Sequence, residues 1–212
     1  MIAIVDYGVG NLFSLCCSLE AVGAQPVVTG DAGVLLQADG VLLPGVGAFA
    51  DAAEKLRAAG LDKTVCTLAR RGTPLLGVCL GMQLLFERSF EFGEHAGLGL
   101  IPGSVVPLQG DIPAALKIPH IGWNSLSFPA GREKSPLLRY VEEGDYVYFV
   151  HSYYAAGCGE AVIASAEYGV DVPAAVARGN VFGCQFHPEK SGTVGLRILR
   201  AFCELCEKGG AV

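Results

Sequence analysis

Cys79 lies in a five-residue pattern that is typical of a reactive nucleophile. The segment Gly77-Val-Cys79-Leu-Gly81 follows the apolar run Pro74–Val78 and leads into the helical pattern Met82-Gln-Leu-Leu-Phe86. Glycines two positions before and after a nucleophile permit the sharp strand-to-helix turn of a nucleophile elbow, with cysteine here in place of the usual serine. This turn would put the sulfur at a helix N-terminus, where the helix dipole favours a thiolate. The alternative is that Cys79 is a small buried core residue, the usual fate of a cysteine.

His187 is the candidate base for this thiol. The segment Gln185-Phe-His187-Pro-Glu189 comes at the end of the strand pattern Val181–Phe186, and the sites of α/β proteins gather at strand ends. An imidazole can exchange a proton with a thiol near neutral pH. Glu189 follows two residues later and can orient the ring. A lone His-x-Glu pattern is also compatible with two loop residues that have no partner.

A glycine loop supplies the third part of the predicted site. Pro44-Gly-Val-Gly47 follows the apolar run Gly40–Leu43, and its glycines let the backbone turn so that N–H groups near Gly45, Val46 and Gly47 can bind an oxyanion. A glycine loop alone is a weak signal. Together with a nucleophile, a base and an orienting carboxylate, it predicts one acyl-transfer site.

Neither a metal nor a cofactor is expected. Cys203-Glu-Leu-Cys206 has the spacing of a metal-ligand pair, but no second pair or nearby histidine accompanies it, so packing on a C-terminal helix is the better interpretation. His187-x-Glu189 resembles part of the zinc deaminase signature, whose Pro-Cys-x-x-Cys segment is absent. Gly8-Val-Gly10 lacks the third glycine of a dinucleotide-binding loop, because Phe13 stands there.

The elements that must position these residues point to an α/β fold. In the first half, apolar strand patterns alternate with helical ones; the strands are Ile2–Val5, Gln25–Thr29, Gly40–Leu43 and Pro74–Val78, and the helices are a segment capped by Asn11, about Phe49–Ala59 and about Asp62–Arg71. This order predicts a mostly parallel central sheet with helices on both faces.

The second half predicts a smaller antiparallel portion and a closing helix. Its short strand patterns lie near Val105–Leu108, Ser125–Phe128, Tyr146–Val150, Ala161–Glu167, Ala174–Ala177 and Val181–Phe186, and the helix near Val194–Glu207. The whole chain, 1–212, is expected to form a single domain.

The composition excludes several classes of protein. The chain has 15 Lys and Arg against 21 Asp and Glu, a formal charge of −6 without a basic run, so no nucleic-acid partner is expected. The longest apolar stretch, Pro74–Met82, is too short to span a bilayer. No Lys or Arg precedes Lys55, so the charged region of a signal peptide is missing. Eight cysteines without a disulfide-type spacing suit a reducing compartment, and we expect a soluble, cytoplasmic protein.

With these motifs in view, the sequence resembles the class I (triad) glutamine amidotransferases almost from end to end. The matching segments are Asp6-Tyr-Gly-Val-Gly-Asn11-Leu, Pro44-Gly-Val-Gly-Ala-Phe49, Gly77-Val-Cys-Leu-Gly-Met-Gln83, Pro119-His-Ile-Gly-Trp-Asn124, Tyr148-Phe-Val-His-Ser-Tyr153 and Gln185-Phe-His-Pro-Glu-Lys-Ser191. The resemblance implies the family fold and a catalytic triad of Cys79, His187 and Glu189.

The resemblance also implies a substrate and the residues that bind it. Cys79 would attack the side-chain amide of glutamine, giving a γ-glutamyl thioester, ammonia and then glutamate. Backbone N–H groups near Leu80 and Val46 would stabilise the oxyanion, and Gln83 would bind glutamine. His151, Ser152 and Tyr153 would line the site, although a purely structural place on a strand is an equal alternative for these three.

Within the family, the sequence is most similar to glutaminase subunits of histidine biosynthesis. These form a heterodimer with a (β/α)₈-barrel cyclase subunit, which uses the ammonia to make imidazole glycerol phosphate and aminoimidazole carboxamide ribotide. The resemblance places Asn11, Trp123 and Asn124 at that interface, with Trp123 in a Gly-Trp-Asn turn; a core tryptophan is the alternative. Other functions left open are a glutaminase of pyridoxal phosphate or GMP synthesis, a related cysteine peptidase or chaperone, and a non-catalytic binding module.

Overall fold

The computed structural model describes residues 1–207, so the last five residues of the predicted 1–212 domain lie outside the described residues. The strands are β1 (Ile2–Val5), β2 (Pro26–Thr29), β3 (Gly40–Leu43), β4 (Leu75–Val78), β5 (Arg88–Ser89), β6 (His95–Ala96), β7 (Ser104–Pro107), β8 (His120–Ser125), β9 (Tyr146–His151), β10 (Tyr153–Ala156), β11 (Val162–Glu167), β12 (Asp171–Arg178) and β13 (Val181–Cys184). The α-helices are α1 (Leu12–Ala21), α2 (Ala32–Leu35), α3 (Phe49–Ala58), α4 (Leu61–Arg70), α5 (Leu80–Leu84) and α6 (Gly192–Glu207).

Seven strands form the central sheet, in the order β11-β12-β13-β4-β3-β1-β2. The five strands from β13 to β2 pair in parallel, whereas β12 and β11 add an antiparallel edge. The prediction of a mostly parallel sheet with a smaller antiparallel portion is therefore confirmed. The strands β3, β4 and β13 are neighbours in the middle of the sheet, so the segments that follow them meet at one edge.

Helices cover both faces of this sheet, as the sequence predicts. Alternate residues of β1 show the division: Ala3 and Val5 pack into a cluster with α3 and α4, and Ile2 and Ile4 pack into a second cluster with α1 and α6. Successive side chains of a strand point to opposite faces, so the two clusters are the two sides of one layered core.

Two small sheets carry the remaining strands: a four-stranded sheet in the order β10-β7-β5-β6, and the antiparallel pair β8-β9. The predicted strand Ser125–Phe128 is wrong, because the strand runs earlier, over His120–Ser125, and beyond it only Ser127 forms an isolated bridge. Consequently Trp123 lies in a strand and not in a turn. Ile121 and Trp123 are 59% and 53% exposed while His120 is buried, which reverses the usual apolar alternation and hides the strand from a periodicity argument.

The cysteine pair of the C-terminal helix packs in the core. Cys203 and Cys206 lie on α6 and are both buried in the cluster that this helix forms with the sheet, which confirms the packing interpretation. None of the helices within residues 1–207 has the length and apolar character to cross a bilayer.

Candidate active site

Cys79 occupies a strained turn between β4 and α5. Its φ is 53°, in a region that residues other than glycine rarely adopt, and its N–H donates to the carbonyl of Cys184 at 2.8 Å. The flanking glycines are required for steric reasons. A Cβ at Gly77 would lie 2.7 Å from the Gly81 carbonyl oxygen, and one at Gly81 would lie 1.9 Å from the Leu43 oxygen. The predicted nucleophile elbow is therefore present.

His187 follows β13 and lies between Cys79 and Glu189. Its Nδ1 is 2.8 Å from Glu189 Oε1, the ring lines the same cavity as Cys79, and the side chains of His187 and Glu189 are 3% and 1% exposed. The backbone N–H of His187 donates to Tyr148 at 2.9 Å, and Ser191 Oγ donates to the His187 carbonyl at 2.6 Å. Hydrogen bonds to the main chain of His187 and to its Nδ1 therefore hold the ring in place.

The charge of His187 follows from these partners. Burial alone lowers the pKa of His187, but the hydrogen bonds and negative charges of Cys79 and Glu189 outweigh it and raise the pKa to about 9. Near neutral pH the ring is therefore protonated, as an imidazolium.

The glycine loop packs directly on the elbow. Gly45 is buried, and a Cβ there would lie 2.6 Å from the Gly81 nitrogen, so only glycine permits this approach. Val46 is 43% exposed, and Gly47 has a φ of 90°. Tyr7 donates its hydroxyl to the Pro44 carbonyl at 2.6 Å and anchors the loop to the end of β1, a role that sequence reasoning missed.

Gln83 belongs to a buried amide network beneath the thiol. Its Nε2 donates to the Tyr153 carbonyl and to Gln185 Oε1, both at 3.0 Å, and Gln185 Nε2 lies 3.7 Å from Cys79 Sγ. Gln185 is in a segment that carries the family resemblance, yet nothing in the pattern indicated a role for it.

Two neutral histidines continue this network. His151 places Nδ1 2.9 Å from the Tyr153 carbonyl and Nε2 3.0 Å from His120 Nδ1. Because a carbonyl can only accept, His151 carries its proton on Nδ1, and His120 donates to its Nε2. Burial lowers the pKa of His120 to about 4 and, with the nearby charge of His120, that of His151 to about 3, so both rings are neutral.

A cavity of about 670 Å³ opens above these groups. It brings together most of the predicted site residues, namely Val46, Gly47, Cys79, Leu80, Gln83, His151, Ser152, Tyr153 and His187. Gly45 and Glu189 do not line the cavity. Glu91, Phe92, Gln109 and Lys190 also line it and were not predicted; the first three lie in turns, and Lys190 ends the short 3₁₀ helix that follows His187.

The three predicted interface residues lie outside this cavity. Asn11 caps α1 through its side-chain oxygen, which accepts from the Ser14 N–H at 3.4 Å. Trp123 is half exposed, and its ring lies 6.0 Å from that of Tyr148, next to the site strand β9. Asn124 donates to the Glu167 carbonyl at 2.7 Å. Within residues 1–207, no three or more His, Cys, Asp or Glu side chains come together in a group that could hold a metal ion.

Comparison with known families agrees with this geometry. The family model described as glutamine amidotransferase class-I matches residues 3–205. The chain is 50% identical over 215 aligned residues to "Imidazole glycerol phosphate synthase subunit HisH" of Geobacillus sp. (strain WCH70), with 100% of both chains covered. It is also 50% identical over 208 residues to the protein of the same name from Bacillus subtilis (strain 168), covering 97% of this chain and 96% of that one.

Solved structures support the fold. A chain described as "Crystal structure of glutamine amidotransferase" superposes with a TM-score of 0.75 at 20% identity, covering 97% of this chain and 98% of its own. A chain of PurLQS from Thermotoga maritima gives a TM-score of 0.69 at 20% identity, covering 96% of this chain and 97% of its own.

Proposed function

Since this chain belongs to the glutamine amidotransferase class-I family, we propose that it hydrolyses glutamine as a subunit of an imidazole glycerol phosphate synthase, in histidine biosynthesis. One arrangement supports this function most strongly: Cys79, in a strained elbow, contacts a buried His187–Glu189 pair at the wall of a cavity. The match over the full length of two curated relatives supports the choice of this glutaminase over those of pyridoxal phosphate or GMP synthesis.

In the first half of the reaction, the Cys79 thiolate attacks the side-chain amide carbon of glutamine. The oxyanion that forms is stabilised by backbone N–H groups of Leu80, at the start of α5, and of the glycine loop near Val46. The protonated His187 then donates its proton to the leaving nitrogen, so that ammonia departs and a γ-glutamyl thioester remains.

In the second half, His187 acts as a base. In the thioester, Cys79 carries no charge and cannot accept a hydrogen bond from the ring as a thiolate, so two of the causes that raise the His187 pKa disappear. The neutral ring can then take a proton from water, whose oxygen attacks the thioester carbonyl and releases glutamate. One carboxylate, Glu189, holds the ring throughout.

The destination of the ammonia is part of the same proposal. A cyclase subunit with a (β/α)₈ barrel, bound as a heterodimer, would receive it, consistent with relatives that are named as subunits. Ile121 and Trp123, on one face of β8, are exposed apolar side chains of the kind that a partner covers. The eight free cysteines favour a reducing, cytoplasmic location.

Glutamate formation from glutamine tests the activity, measured for the chain alone and in the presence of the cyclase and its ligand. We expect turnover in the complex and its loss in Cys79→Ala. The exposed Cys17→Ala on α1 serves as the matched control and keeps wild-type activity. Glutamate release by a folded Cys79→Ala chain would refute the nucleophile.

Binding to the cyclase subunit tests the partner. Trp123→Ala should weaken the complex by at least tenfold, because removal of a central aromatic anchor typically costs about 2 kcal/mol or more. Val28→Ala, on β2 at the opposite edge of the sheet from β11, is the control. Unchanged affinity of Trp123→Ala would contradict the interface.

A further inference from the structure

Gln185 is a fully buried amide that touches the thiol without belonging to the triad. It lies one residue after β13, has an exposed fraction of 0%, and its backbone N–H donates to the Ala174 carbonyl at 2.8 Å. Its side chain lies between Cys79 Sγ, at 3.7 Å, and Gln83 Nε2, at 3.0 Å. A buried amide is stable only when its donors and acceptor are used, so both contacts matter to the fold.

A backbone carbonyl fixes which way both amides point. The carbonyl of Tyr153 can only accept, so Gln83 must face it with nitrogen. The same nitrogen contacts Gln185, which must therefore present its oxygen there and turn its own nitrogen toward Cys79. The orientation of Gln83 therefore determines that of Gln185, and the last N–H donor of the series points at the Cys79 sulfur.

The series also determines what faces the cavity. Gln83 uses its nitrogen for two hydrogen bonds, and its Oε1 accepts from no residue in the described part of the chain. Unlike Glu189 Oε2, this oxygen is not a buried atom without a partner, and Gln83 lines the cavity, so ligands can reach the oxygen. An oxygen there accepts from an N–H group and repels a carboxylate.

We infer that Gln185 is a positioning residue, which donates a hydrogen bond to the Cys79 sulfur and holds the Gln83 carbonyl oxygen toward the substrate. Its first action favours the thiolate over the thiol, since an N–H donor stabilises a neighbouring anion. Its second action makes the site selective for a ligand that offers N–H at this point. The second action rests on the proposed function, because the ligand is then glutamine; the first does not.

Gln185→Met tests the first action, because methionine has nearly the same shape but neither donates nor accepts strongly. The rate at which iodoacetamide alkylates Cys79 is measured from pH 5 to 10 by mass spectrometry of the peptide that contains it, without glutamine. We expect the pH of half-maximal rate to rise by about one pH unit, as loss of one hydrogen bond to an anion predicts. Gln37→Met, at an exposed position, should leave the profile unchanged.

Gln83→Met separates the two actions. It removes the substrate-facing oxygen but leaves the Gln185 donor on the sulfur, so we expect a higher KM for glutamine in the complex and an alkylation profile close to wild type. Gln185→Met should also raise the KM, because Gln83 is no longer held in place, and should lower kcat by about tenfold, since one lost hydrogen bond to a charged group is worth roughly that factor.

A wild-type alkylation profile in folded Gln185→Met overturns the inference, whatever happens to glutamine turnover. If Gln185→Met does not fold, Gln185→Asn, one carbon shorter and unable to bridge both partners, should shift the profile in the same direction. The failure of the proposed function can be told apart from the failure of this inference. If wild type with the cyclase does not hydrolyse glutamine but Gln185→Met still shifts the alkylation profile, the proposed function is wrong and the role of Gln185 at the thiol is supported.

Discussion

Replacing Glu189 by glutamine removes one negative charge from the most buried ion pair of the site while keeping an acceptor for the His187 ring. The pKa of His187 stands at about 9 instead of 6.5, which corresponds to roughly 3 kcal/mol in favour of the imidazolium. Cys79 and Glu189 produce this preference together, against the opposing effect of burial. If Glu189 supplies about half, Glu189→Gln lowers the preference by about 1.5 kcal/mol and the His187 pKa by about one pH unit.

The sign of the pH effect follows from the role of the ring as an acid. Leaving ammonia takes its proton from His187, so kcat/KM falls as pH rises through the His187 pKa. Wild type should therefore lose activity above about pH 9, and Glu189→Gln above about pH 8. Glutamate formation in the complex, followed from pH 6 to 10, measures both quantities.

Two further observations make this experiment decisive. Glu133→Gln changes the same charge at an exposed position outside the cavity and should leave the profile as it is. Circular dichroism and a thermal melt confirm that Glu189→Gln is folded. An alkaline limb that stays near pH 9 in folded Glu189→Gln would refute the assignment of Glu189 as the partner that keeps His187 charged.

Three other changes probe the loop, the neutral histidines and the core. Gly45→Ala puts a Cβ within 2.6 Å of the elbow backbone and should reduce glutamine turnover at least tenfold, whereas Gly159→Ala, with open space around it, should not. Because the folded chain keeps His120 and His151 neutral with pKa values of about 4 and about 3, the contribution of these two rings to folding stability is full above pH 6.5 and falls as pH drops toward 4. The urea midpoint should therefore fall less between pH 7.5 and pH 5 in His120→Gln than in wild type, while the opposite contribution of His187 is the same in both proteins. Phe202→Ala should cost about 3–5 kcal/mol in unfolding free energy while turnover per folded molecule stays the same, and a loss below 1 kcal/mol would contradict the packing described for α6.

The parts of the fold that could be predicted from the sequence are those in which a run of apolar residues is also buried on both sides. Ile2–Val5 and Gly40–Leu43 are apolar throughout and form interior strands of a sheet covered on both faces, so their bounds agree with the structure. The same reasoning fails for the antiparallel pair β8-β9, because the exposed face of β8 carries Ile121 and Trp123. An exposed apolar face breaks the alternation of apolar and polar residues on which the periodicity argument depends.

In the candidate site, too, some residues could be predicted from the sequence and others could not. Cys79, His187 and the glycine loop were predictable because each follows a strand. Cys79 and Gly47 also have positive φ angles, which restrict the residue types around them, whereas His187 has an extended backbone and was recognisable from Glu189 two residues later. Tyr7 and Gln185 have no local sequence signal of this kind, since their roles depend on partners 37 and 106 positions away along the chain. Residues of this kind can be assigned only when the pairing of strands is known.

The position of β13 has a consequence for synthesis on the ribosome. It is the last strand in the described part of the chain, yet it lies in the middle of the sheet, beside the strand that leads to Cys79. Until it emerges, β4 presents an unpaired parallel edge, which exposes a nascent chain to aggregation and to chaperones. The same strand delivers His187 and Gln185, so a chain released early would carry the nucleophile without its partners and would be catalytically silent. The proposed catalytic groups can therefore come together only after β13 has been made.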